Sequence, residues 1–395
     1  MRILIAEDDS TSRLILKRSL EKWGHEVIAT KDGAEAWEIL QKEPIRFVIT
    51  DWMMPELDGV ELSKRIRAAH FSHYIYIILL TAKIEKTEIV DGLEAGADDF
   101  VTKPFNKHEL KVRIKAGERI IRLEKDLEER NESLQEAYTQ IRKDLEAASN
   151  MQQNLLPSAS STMPGISFDW LFLPCTVIAG DIFNFFQLSE NNIGFYLLDV
   201  SGHGIPAAML SVTISKVLSP TFMNGNEEKH SLHGKSHHDF NSPASVIQEL
   251  NQRFQGENNS MQYFTMVYGT IDTKNKELKL CQAGHPSPIY VKNGAYISHI
   301  GNGGMPVGML PEIEYEEQSF DFTAGDRLFL FSDGVTECEN ADKEQFSSNR
   351  LVQLLEGSRS DSLAVLMQKV KGQLQRWNGS EQFEDDVTLL AIEME

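Results

Sequence analysis

Five short apolar runs alternate with helix-like segments over residues 1–115, and this alternation limits the possible fold more than any other feature. The runs are RILIA, HEVIAT, RFVIT, YIYIILL and DDFVT, and amphipathic segments such as DGAEAWEILQKE lie between them. Strands that alternate with helices predict a doubly wound α/β domain, with a five-stranded parallel sheet covered on both faces. In such a sheet, ligands bind beyond the carboxyl ends of the strands.

Polar side chains follow four of these predicted strands. Glu7 and Asp8 come after the first strand, Asp51 after the third, Thr81 after the fourth and Lys103 after the fifth. Because these ends share one sheet edge, the three carboxylates repel one another unless a hard cation such as Mg²⁺ lies between them. Asp51 could then act as a carboxylate nucleophile that forms an aspartyl-phosphate, while Lys103 and Thr81 hold the phosphoryl oxygens. Taken singly, each residue is also consistent with a solvated strand end.

This segment resembles the CheY-like receiver domain of two-component response regulators over about 115 residues. The resemblance implies a bound Mg²⁺ ion, and a histidine kinase or phosphotransfer protein as the phosphoryl donor. It implies metal ligands at Glu7, Asp8, Asp51 and the backbone carbonyl of Met53. It also implies that Asp51 is the phosphoacceptor, with switch or phosphate-binding roles for Thr81, Phe100 and Lys103. Glu7 departs mildly from a family that more often has Asp there, and Pro104 occupies a position prone to a cis peptide bond.

Residues 116–153 carry a heptad repeat within a highly charged segment. The repeat has spacings of four and three and consists of Leu127, Asn131, Leu134, Tyr138, Ile141, Leu145 and Ala148. Such a seam predicts a helical linker that forms a coiled coil, and we expect a homodimer. Asn131 in the core would cost stability but fix a two-stranded register. The alternative is one long amphipathic helix packed on its own domain.

Residues 154–395 predict an α+β domain, an α-β-β-α sandwich. Seven strand candidates, from ISFDWLFLP to DVTLLAIEM, are accompanied by helix candidates such as IPAAMLSVTISKVLS, PASVIQELNQRF and LVQLLEGSRSDSLAVLMQKVKGQLQRW. Residues 224–242 have no periodicity and few apolar groups, which predicts a loop. Its histidines could bind a metal, although no Cys or carboxylate spacing frames them: His230, His233, His237 and His238.

Acidic residues recur beside the strands of this last segment. They stand in AGDIFNFF, LLDVSGHG, LFSDGVTE and FEDDVTLL, as Asp181, Asp199, Asp333, Asp385 and Asp386. Carboxylates that converge without Cys favour Mg²⁺ or Mn²⁺ over Zn²⁺, and a pair of such cations supports hydrolysis of a phosphate ester.

The stretch LLDVSGHG leaves three functional interpretations open. Ser201 as a nucleophile lacks the Gly-x-Ser-x-Gly pattern, and His203 as a general base lacks a visible partner, so that a structural turn histidine is also possible. Asp199 as a metal ligand explains most, because glycines let backbone carbonyls approach an ion. Gly202 and Gly204 could also open the helix that follows, with Pro206 in its first turn.

These motifs, together with MQQNLLP, AGHPSPIY and GMPVGM, resemble the metal-dependent serine/threonine phosphatase superfamily, in its bacterial sporulation-stage-II-E branch. The resemblance implies two Mn²⁺ or Mg²⁺ ions held by five groups: Asp181, Asp199, the carbonyl of Val200 or its neighbour, Asp333 and Asp385. It implies supporting roles for Gly180, Gly202 and Asp386. It also implies a phosphoserine or phosphothreonine substrate on an anti-sigma factor antagonist. Ala179 replaces a usual Gly, and Asn184 replaces a frequent Asp, which puts a third metal in doubt.

Composition excludes some classes of protein. A net charge of -20 opposes a nucleic-acid-binding surface, and the chain has no apolar run long enough to span a membrane. The early acidic residues of MRILIAEDDS and three separated cysteines predict a cytoplasmic protein. We therefore expect a response regulator in which phosphorylation of Asp51 controls a phosphatase. The alternatives are an adaptor that binds a signalling partner with little hydrolysis and, less consistent with the charge, a DNA-binding regulator.

Overall fold

The chain forms two compact units, Met1–Gln140 and Ile141–Glu395. The structure is a computed structural model, and it describes residues 1–69, 71–82, 86–157, 163–219, 240–255, 262–293 and 296–395. The predicted loop 224–242 lies outside the described residues as far as residue 239, and so do its four histidines. Among the described residues, no helix combines the length and apolar character that crossing a lipid bilayer requires.

The N-terminal unit contains the predicted five-stranded parallel sheet, with strand order β2-β1-β3-β4-β5. The strands are β1 (Arg2–Ala6), β2 (Glu26–Thr30), β3 (Phe47–Asp51), β4 (Tyr76–Thr81) and β5 (Asp99–Thr102). The helices between them are α1 (Ser10–Lys22), α2 (Gly33–Lys42), α3 (Gly59–Ala68) and α4 (Lys86–Glu94). This architecture confirms the predicted fold of the first domain.

Alternation along the strands supplies both faces of this sheet with apolar side chains. In β1, Ile3 and Ile5 pack in one core cluster with residues of α1, while Leu4 and Ala6 pack in a second cluster with residues of α2 and α3. Successive residues of a strand point to opposite faces, so a strand that is apolar throughout is buried on both sides. The carboxyl ends of the strands remain open at one edge.

Helix α5 (Lys107–Gln153) is one continuous helix with residues in both units. It begins inside the predicted receiver segment rather than at residue 116, because Leu110, Ile114 and Ile121 pack into the core of the N-terminal unit. Farther along, six of the seven residues of the predicted heptad seam are exposed, the exception being Leu145, which is partly buried. The seam is therefore helical, as predicted, and none of its residues belongs to a hydrophobic core cluster of the described residues.

Two five-stranded antiparallel sheets form the centre of the C-terminal unit. Their strand orders are β13-β10-β9-β8-β7 and β12-β11-β14-β15-β6. The first sheet contains β7 (Ile182–Gln187), β8 (Asn192–Val200), β9 (Phe264–Asp272), β10 (Glu277–Ala283) and β13 (Glu317–Asp321). The second contains β6 (Ile166–Leu173), β11 (Ile289–Val291), β12 (Ile297–His299), β14 (Arg327–Phe331) and β15 (Val387–Met394). Strands β7, β12 and β13 are not predicted by the sequence pattern; all three are edge strands, and they are short or partly polar, as edge strands commonly are.

The two sheets pack face to face, and helices cover their outer faces. Phe195 of β8 and Leu390 of β15 belong to one core cluster between the sheets. Tyr196 points the other way, into a cluster with residues of α6 (Ile205–Val217) and α7 (Pro243–Arg253). The outer face of the second sheet packs against α9 (Ser348–Gly357) and α10 (Leu363–Asn378), and a short helix α8 (Asp333–Thr336) follows β14. This layering confirms the predicted α-β-β-α sandwich.

The segment predicted as one helix over residues 351–377 is two helices. Gly357 ends α9, and Ser362 begins α10 by accepting a hydrogen bond from the backbone amide of Val365. Glycine and serine favour helix ends over helix interiors, so the sequence GSRSDS carried the signal for this break.

Candidate functional site

Three carboxylates converge at the open edge of the N-terminal sheet. Glu7, Asp8 and Asp51 each offer one ligand oxygen, and these oxygens lie within 4.8 Å of one another. Parallel pairing of β1 with β3 produces this arrangement, because Ala6 lies opposite Thr50 and both strands end there. Carboxylate oxygens at this spacing suit a hard divalent cation such as Mg²⁺.

Lys103 bridges two of these carboxylates. Its Nζ atom lies 2.6 Å from Oε2 of Glu7 and 2.8 Å from Oδ2 of Asp51. Burial raises the pKa of Glu7, although the hydrogen bond from Lys103 acts against that shift. Burial opposes the charge on Lys103, but its hydrogen bonds to Asp51 and Glu7 outweigh this effect and raise the pKa of the lysine. Lys103 is therefore charged and in direct contact with the predicted phosphoacceptor.

The other predicted receiver residues lie around this cluster at different depths. Thr81 is buried at the end of β4, and its carbonyl accepts a hydrogen bond of 2.7 Å from the amide of Lys103. Phe100 is half-buried on β5 beneath the guanidinium of Arg113, whose carbon lies 5.4 Å from the ring centre. The side chain of Met53 is 65% exposed, and the carbonyl role of this residue stays a prediction. The peptide bond between Lys103 and Pro104 is cis.

In the C-terminal unit, each sheet brings two predicted acidic ligands to one of its ends. Asp181 directly precedes β7, and Asp199 lies near the end of β8, which pairs antiparallel with β7. Asp333 follows β14 and Asp385 precedes β15, and these two strands are also antiparallel neighbours. Antiparallel pairing places the end of one strand beside the start of the next, which explains how residues far apart in sequence meet.

The electrostatics show that these carboxylates lie close to one another. Burial and then the charges of Asp199 and Asp386 raise the pKa of Asp181 well above its usual range. Burial and then the charges of Asp333 and Asp385 raise the pKa of Asp199 to about 7. Because the charges of Asp333 and Asp385 act on Asp199, acidic groups of the two sheets are close enough to interact, and together these residues are called the acidic cluster.

The pKa values of Asp333 and Asp385, the two ligands at the end of the second sheet, are also raised. Burial, followed by the charge of Asp385, raises the pKa of Asp333 to about 6. Burial is also the main cause of a raised pKa at Asp385, where the neighbouring charge of Asp386 adds to the shift. Crowded carboxylates with raised pKa values are the electrostatic signature of a site that lacks compensating positive charge.

The donor set fits a hard divalent cation. The Oδ1 atom of Asp181 is buried without a hydrogen-bond partner, whereas its Oδ2 accepts a bond of 2.5 Å from the hydroxyl of Thr388. A Cβ atom built on Gly180 would lie 3.3 Å from the carbonyl oxygen of Val200 and 3.5 Å from that of Gly202. Carboxylate and carbonyl oxygens are the ligands that Mg²⁺ and Mn²⁺ prefer. The position of Val200 is therefore compatible with its predicted carbonyl role.

Asp386 holds the loop that precedes Asp181. Its Oδ2 atom accepts from the backbone amides of Gly180 at 2.7 Å and Asp181 at 3.5 Å, and its Oδ1 accepts from that of Cys175 at 2.8 Å. These bonds give Asp386 and Gly180 a physical basis for the supporting roles that the resemblance implied.

Two glycines form the turn after Asp199 and open the next helix, as the sequence predicts. Gly202 and Gly204 have φ values of 90° and 81°, in the left-handed region that favours glycine, and Gly204 is the residue before α6. Ser201 pairs with Tyr263, whose amide donates to the serine hydroxyl at 3.2 Å. His203 is exposed and close enough to Asp385 for its charge to stabilise the ionised carboxylate. Within the described part of the chain, no hydrogen bond joins the Ser201 hydroxyl to His203 or to a carboxylate, as a nucleophile and its base would require.

One residue beside the acidic cluster is not predicted by the sequence pattern. The acidic set was expected to be free of cysteine, but Cys175, Asp385 and Asp386 offer ligand atoms within 4.8 Å of one another. Burial, followed by the charge of Asp386, raises the pKa of the Cys175 thiol to about 12. A protonated thiol is a poor ligand, so this correction leaves the preference for hard cations unchanged. Cys175 is distant from Asp385 in sequence and stands in no ligand motif, which is why the pattern did not reveal it.

The histidine of the AGHP motif lies beside the strand that carries Asp199. His285 is buried, and its Nδ1 atom lies 2.8 Å from the hydroxyl of Thr265, the residue paired with Asp199 across β8 and β9. Burial lowers the pKa of His285 to about 3, so the ring is neutral. Its position is that of a packed core histidine.

Comparisons with known proteins agree with this division into two units. The model of the response regulator receiver domain matches residues 3–115, and the model of Stage II sporulation protein E matches residues 189–395. Over 116 residues, the chain is 39% identical to a chemotaxis protein CheY homolog of Campylobacter jejuni. The matched region covers 29% of this chain and 89% of the relative.

The second unit has relatives of its own. The chain is 24% identical over 257 residues to the phosphoserine phosphatase RsbP of Bacillus subtilis. The matched region covers 64% of this chain and 58% of RsbP. It therefore spans somewhat more than half the length of that relative. The solved SiaA-PP2C domain of Pseudomonas aeruginosa has a TM-score of 0.56 at 18% identity and covers 66% of this chain and 99% of that domain, which shows the shared fold. The chain joins a response regulator receiver domain to a domain with the PP2C fold, and it belongs to the Stage II sporulation protein E family.

Proposed function

We propose that this protein is a response regulator in which phosphorylation of Asp51 controls a metal-dependent phosphatase for phosphoserine or phosphothreonine in proteins. The proposed parts are a receiver at residues 1–115, a coiled-coil linker at 116–153 and a phosphatase domain at 154–395. The observation that carries the catalytic part is the acidic cluster built from both sheets, in which Asp199 responds to the charge of Asp333 and Asp385. Crowded carboxylates attract bound cations, and they repel one another when no cation lies between them.

The acidic cluster contains metal ligands and one supporting residue in this proposal. Asp181, Asp199, Asp333 and Asp385, with the carbonyl of Val200, would hold two Mn²⁺ or Mg²⁺ ions. When bound, the ions would supply the positive charge that makes water a nucleophile and stabilises phosphoryl oxygens. In the reaction, water would form a bond to phosphorus as the ester bond breaks, which would give inorganic phosphate, and a proton from that water would leave with the serine or threonine oxygen as a hydroxyl group. Asp386 positions the loop of Asp181 through backbone hydrogen bonds.

Turnover of an aryl phosphate tests this activity. We expect hydrolysis with Mn²⁺ that a chelator abolishes, and a loss of about a thousandfold or more in Asp199→Ala and in Asp333→Ala, because ligands of a shared site act as a unit. His203→Ala should lose much less. Near-wild-type single-turnover rates in either aspartate variant would refute the two-metal site. Tight binding of a phosphoprotein without any turnover would favour the adaptor function instead.

The receiver part rests on the contacts of Lys103 with Asp51 and Glu7. A phosphoryl group on Asp51, donated by a histidine kinase or phosphotransfer protein, would add charge that Lys103 and a Mg²⁺ ion held by Glu7 and Asp8 can bind. Lys103 would then exchange its contacts with Glu7 and Asp51 for contacts with the phosphoryl group. Thr81 would be close to this rearrangement, because its carbonyl accepts a hydrogen bond from the amide of Lys103. This rearrangement is the proposed start of the signal.

We also propose the substrate class and the oligomeric state. The substrate would be a phosphorylated anti-sigma factor antagonist, which is supported by the family and by similarity to RsbP, a phosphoserine phosphatase. A pull-down with Asp199→Asn tests this, because the variant should bind phosphorylated antagonist and release it slowly. The exposed heptad seam of α5 supports a parallel homodimer with Asn131 in its core.

A further inference from the structure

Gln152 is a buried polar residue in the last turn of α5, after a long exposed stretch of that helix. It is 4% exposed, whereas Met151 before it is 72% exposed and Gln153 after it is also exposed. Residues 131–140 of the same helix are all exposed. Burying an amide costs free energy unless its donors and acceptor are satisfied, so the surroundings of Gln152 must supply partners.

The partner is the backbone of one residue. The Nε2 atom of Gln152 donates to the carbonyl of Ala179 at 2.7 Å, and the amide of Ala179 donates back to Oε1 at 3.0 Å. Because the amide of Ala179 can only donate, this pairing fixes which end of the side chain carries oxygen. Nε2 also lies 3.4 Å from the hydroxyl of Ser211 on α6.

This amide lies between the segments that carry Asp181 and Asp199. Ala179 stands two residues before Asp181 in the sequence. Ser211 lies on α6, the helix that follows Asp199 and its glycine turn. The backbone of residues 179–181 is thus held twice, by Gln152 through Ala179 and by Asp386 through Gly180. A segment fixed from both sides keeps Asp181 where its unpaired Oδ1 can meet a cation.

We infer that Gln152 is a positioning residue through which the last turn of α5 sets the affinity of the phosphatase site for its divalent cation. The inference rests on the proposed metal-dependent function and adds a regulatory contact to it. Gln152 touches no reacting group. If the last turn of α5 unwinds or shifts, both bonds to Ala179 break together, and the loop of Asp181 loses one of its two supports.

The test compares the same substitution at two neighbouring positions. Gln152→Met keeps an unbranched side chain of similar length and removes both hydrogen bonds, whereas Gln153→Met makes the same change at an exposed position. Both are made in the full chain with Asp51→Asn, which weakens the receiver's own site. Binding of Mn²⁺ is measured directly, by electron paramagnetic resonance of the free ion, without substrate.

We expect Gln152→Met to weaken Mn²⁺ binding about tenfold or more and Gln153→Met to change it less than about twofold. At saturating Mn²⁺, hydrolysis by Gln152→Met should return to within about threefold of the parent rate, because no reacting group is lost. If Gln152→Met fails to fold by circular dichroism, Gln152→Glu replaces it. That variant keeps the shape and the acceptor but loses the donor, and weaker Mn²⁺ binding despite the added negative charge is the expected result.

Unchanged Mn²⁺ binding in Gln152→Met or Gln152→Glu would overturn the inference, even if thermal stability fell, because the glutamine would then serve packing alone. Equal weakening in Gln153→Met would overturn it too. A parent chain that binds Mn²⁺ but hydrolyses nothing would refute the proposed phosphatase activity, while the binding comparison would still decide the role of Gln152. A parent chain that binds no Mn²⁺ would refute both.

Discussion

The carboxylate of Asp386 accepts a hydrogen bond of 2.7 Å from the backbone amide of Gly180. Because the two Asp386 oxygens face backbone amides of different residues, an amide side chain cannot replace both. We expect Asp386→Asn to lower the free energy of unfolding of the metal-free protein by about 1–3 kcal/mol, since one buried donor loses its acceptor. Urea unfolding with a chelator present measures this. A free energy equal to that of wild type would show that these bonds contribute nothing net.

Asp199→Asn should have the opposite effect on stability. Burial and neighbouring charges raise the pKa of Asp199 to about 7, so the folded state binds a proton that the unfolded state releases near pH 4. The stability that this proton binding contributes is present at low pH and is lost as the pH rises through about 7. In the metal-free wild type, the melting temperature should therefore fall between about pH 5 and pH 8. In Asp199→Asn the fall should be smaller, and the variant should melt higher than wild type at the upper pH. A lower melting temperature there would mean that repulsion at this site is already relieved.

Phosphorylation of the receiver should depend on Asp51 and Lys103 in different ways. Asp51→Asn should abolish labelling by acetyl phosphate in the presence of Mg²⁺, because the attacking carboxylate is gone. Lys103→Met should still accept phosphate slowly, but it should lose the phosphatase response, since the charged partner of Asp51 and Glu7 is absent. Phosphate-affinity electrophoresis combined with the aryl phosphate assay separates the two effects. Labelling of Asp51→Asn at the wild-type rate would contradict the assignment.

The heptad seam should hold two chains together. Leu134 is 68% exposed, and Leu134→Glu places a charge in the proposed dimer core at a cost of several kcal/mol, which is enough to separate the chains. Ser133→Glu adds the same charge one residue away from the seam and serves as the matched control. Light scattering should give a monomer for Leu134→Glu and a dimer for wild type and Ser133→Glu. A wild-type monomer whose phosphatase responds fully to receiver phosphorylation would rule out a dimer as part of the signal.

Cys175 should be dispensable despite its place beside Asp385 and Asp386. Burial raises the pKa of its thiol to about 12, so very little reactive thiolate exists near neutral pH. Its backbone amide donates a hydrogen bond to Asp386, which serine retains, and a serine hydroxyl can replace the hydrogen bond between the thiol and the Asp386 side chain. We expect Cys175→Ser to keep activity within about threefold of wild type and alkylation of the thiol to be slow. Rapid inactivation of the wild type by iodoacetamide, prevented in Cys175→Ser, would show that Cys175 contributes to activity and is not dispensable.

Sequence periodicity predicted most of the fold, and two predicted site residues were visible because each is a carboxylate in an otherwise mostly apolar, buried strand. Asp51 ends a run of five buried residues in β3, and Asp199 interrupts an apolar run in β8, so both positions stand out in the sequence. The start of α5 was less visible, because its packing residues and its exposed heptad seam continue one another without a break. The edge strands were missed for a similar reason, since β13 alternates exposed and partly buried residues and contains little apolar sequence.

The supporting contacts could not be predicted in the same way. Gln152 and Ala179 are 27 residues apart, and Cys175 and Asp386 are 211 apart. Each contact depends on how the two sheets pair and pack, which local propensity does not encode. A glutamine beside an exposed methionine and another glutamine carries no pattern that distinguishes it from its neighbours.

The hydrogen bond between Thr388 and Asp181 spans 207 residues, and this separation has a consequence for biosynthesis. Asp181 emerges from the ribosome long before β15, which supplies Thr388 and pairs with both β6 and β14. The acidic cluster therefore cannot assemble while the domain is partly synthesised, because its last two carboxylates directly precede the final strand of the sheet. Pairing over such distances is slow compared with local helix formation. A nascent chain could thus have a folded receiver for some time before it has any phosphatase site.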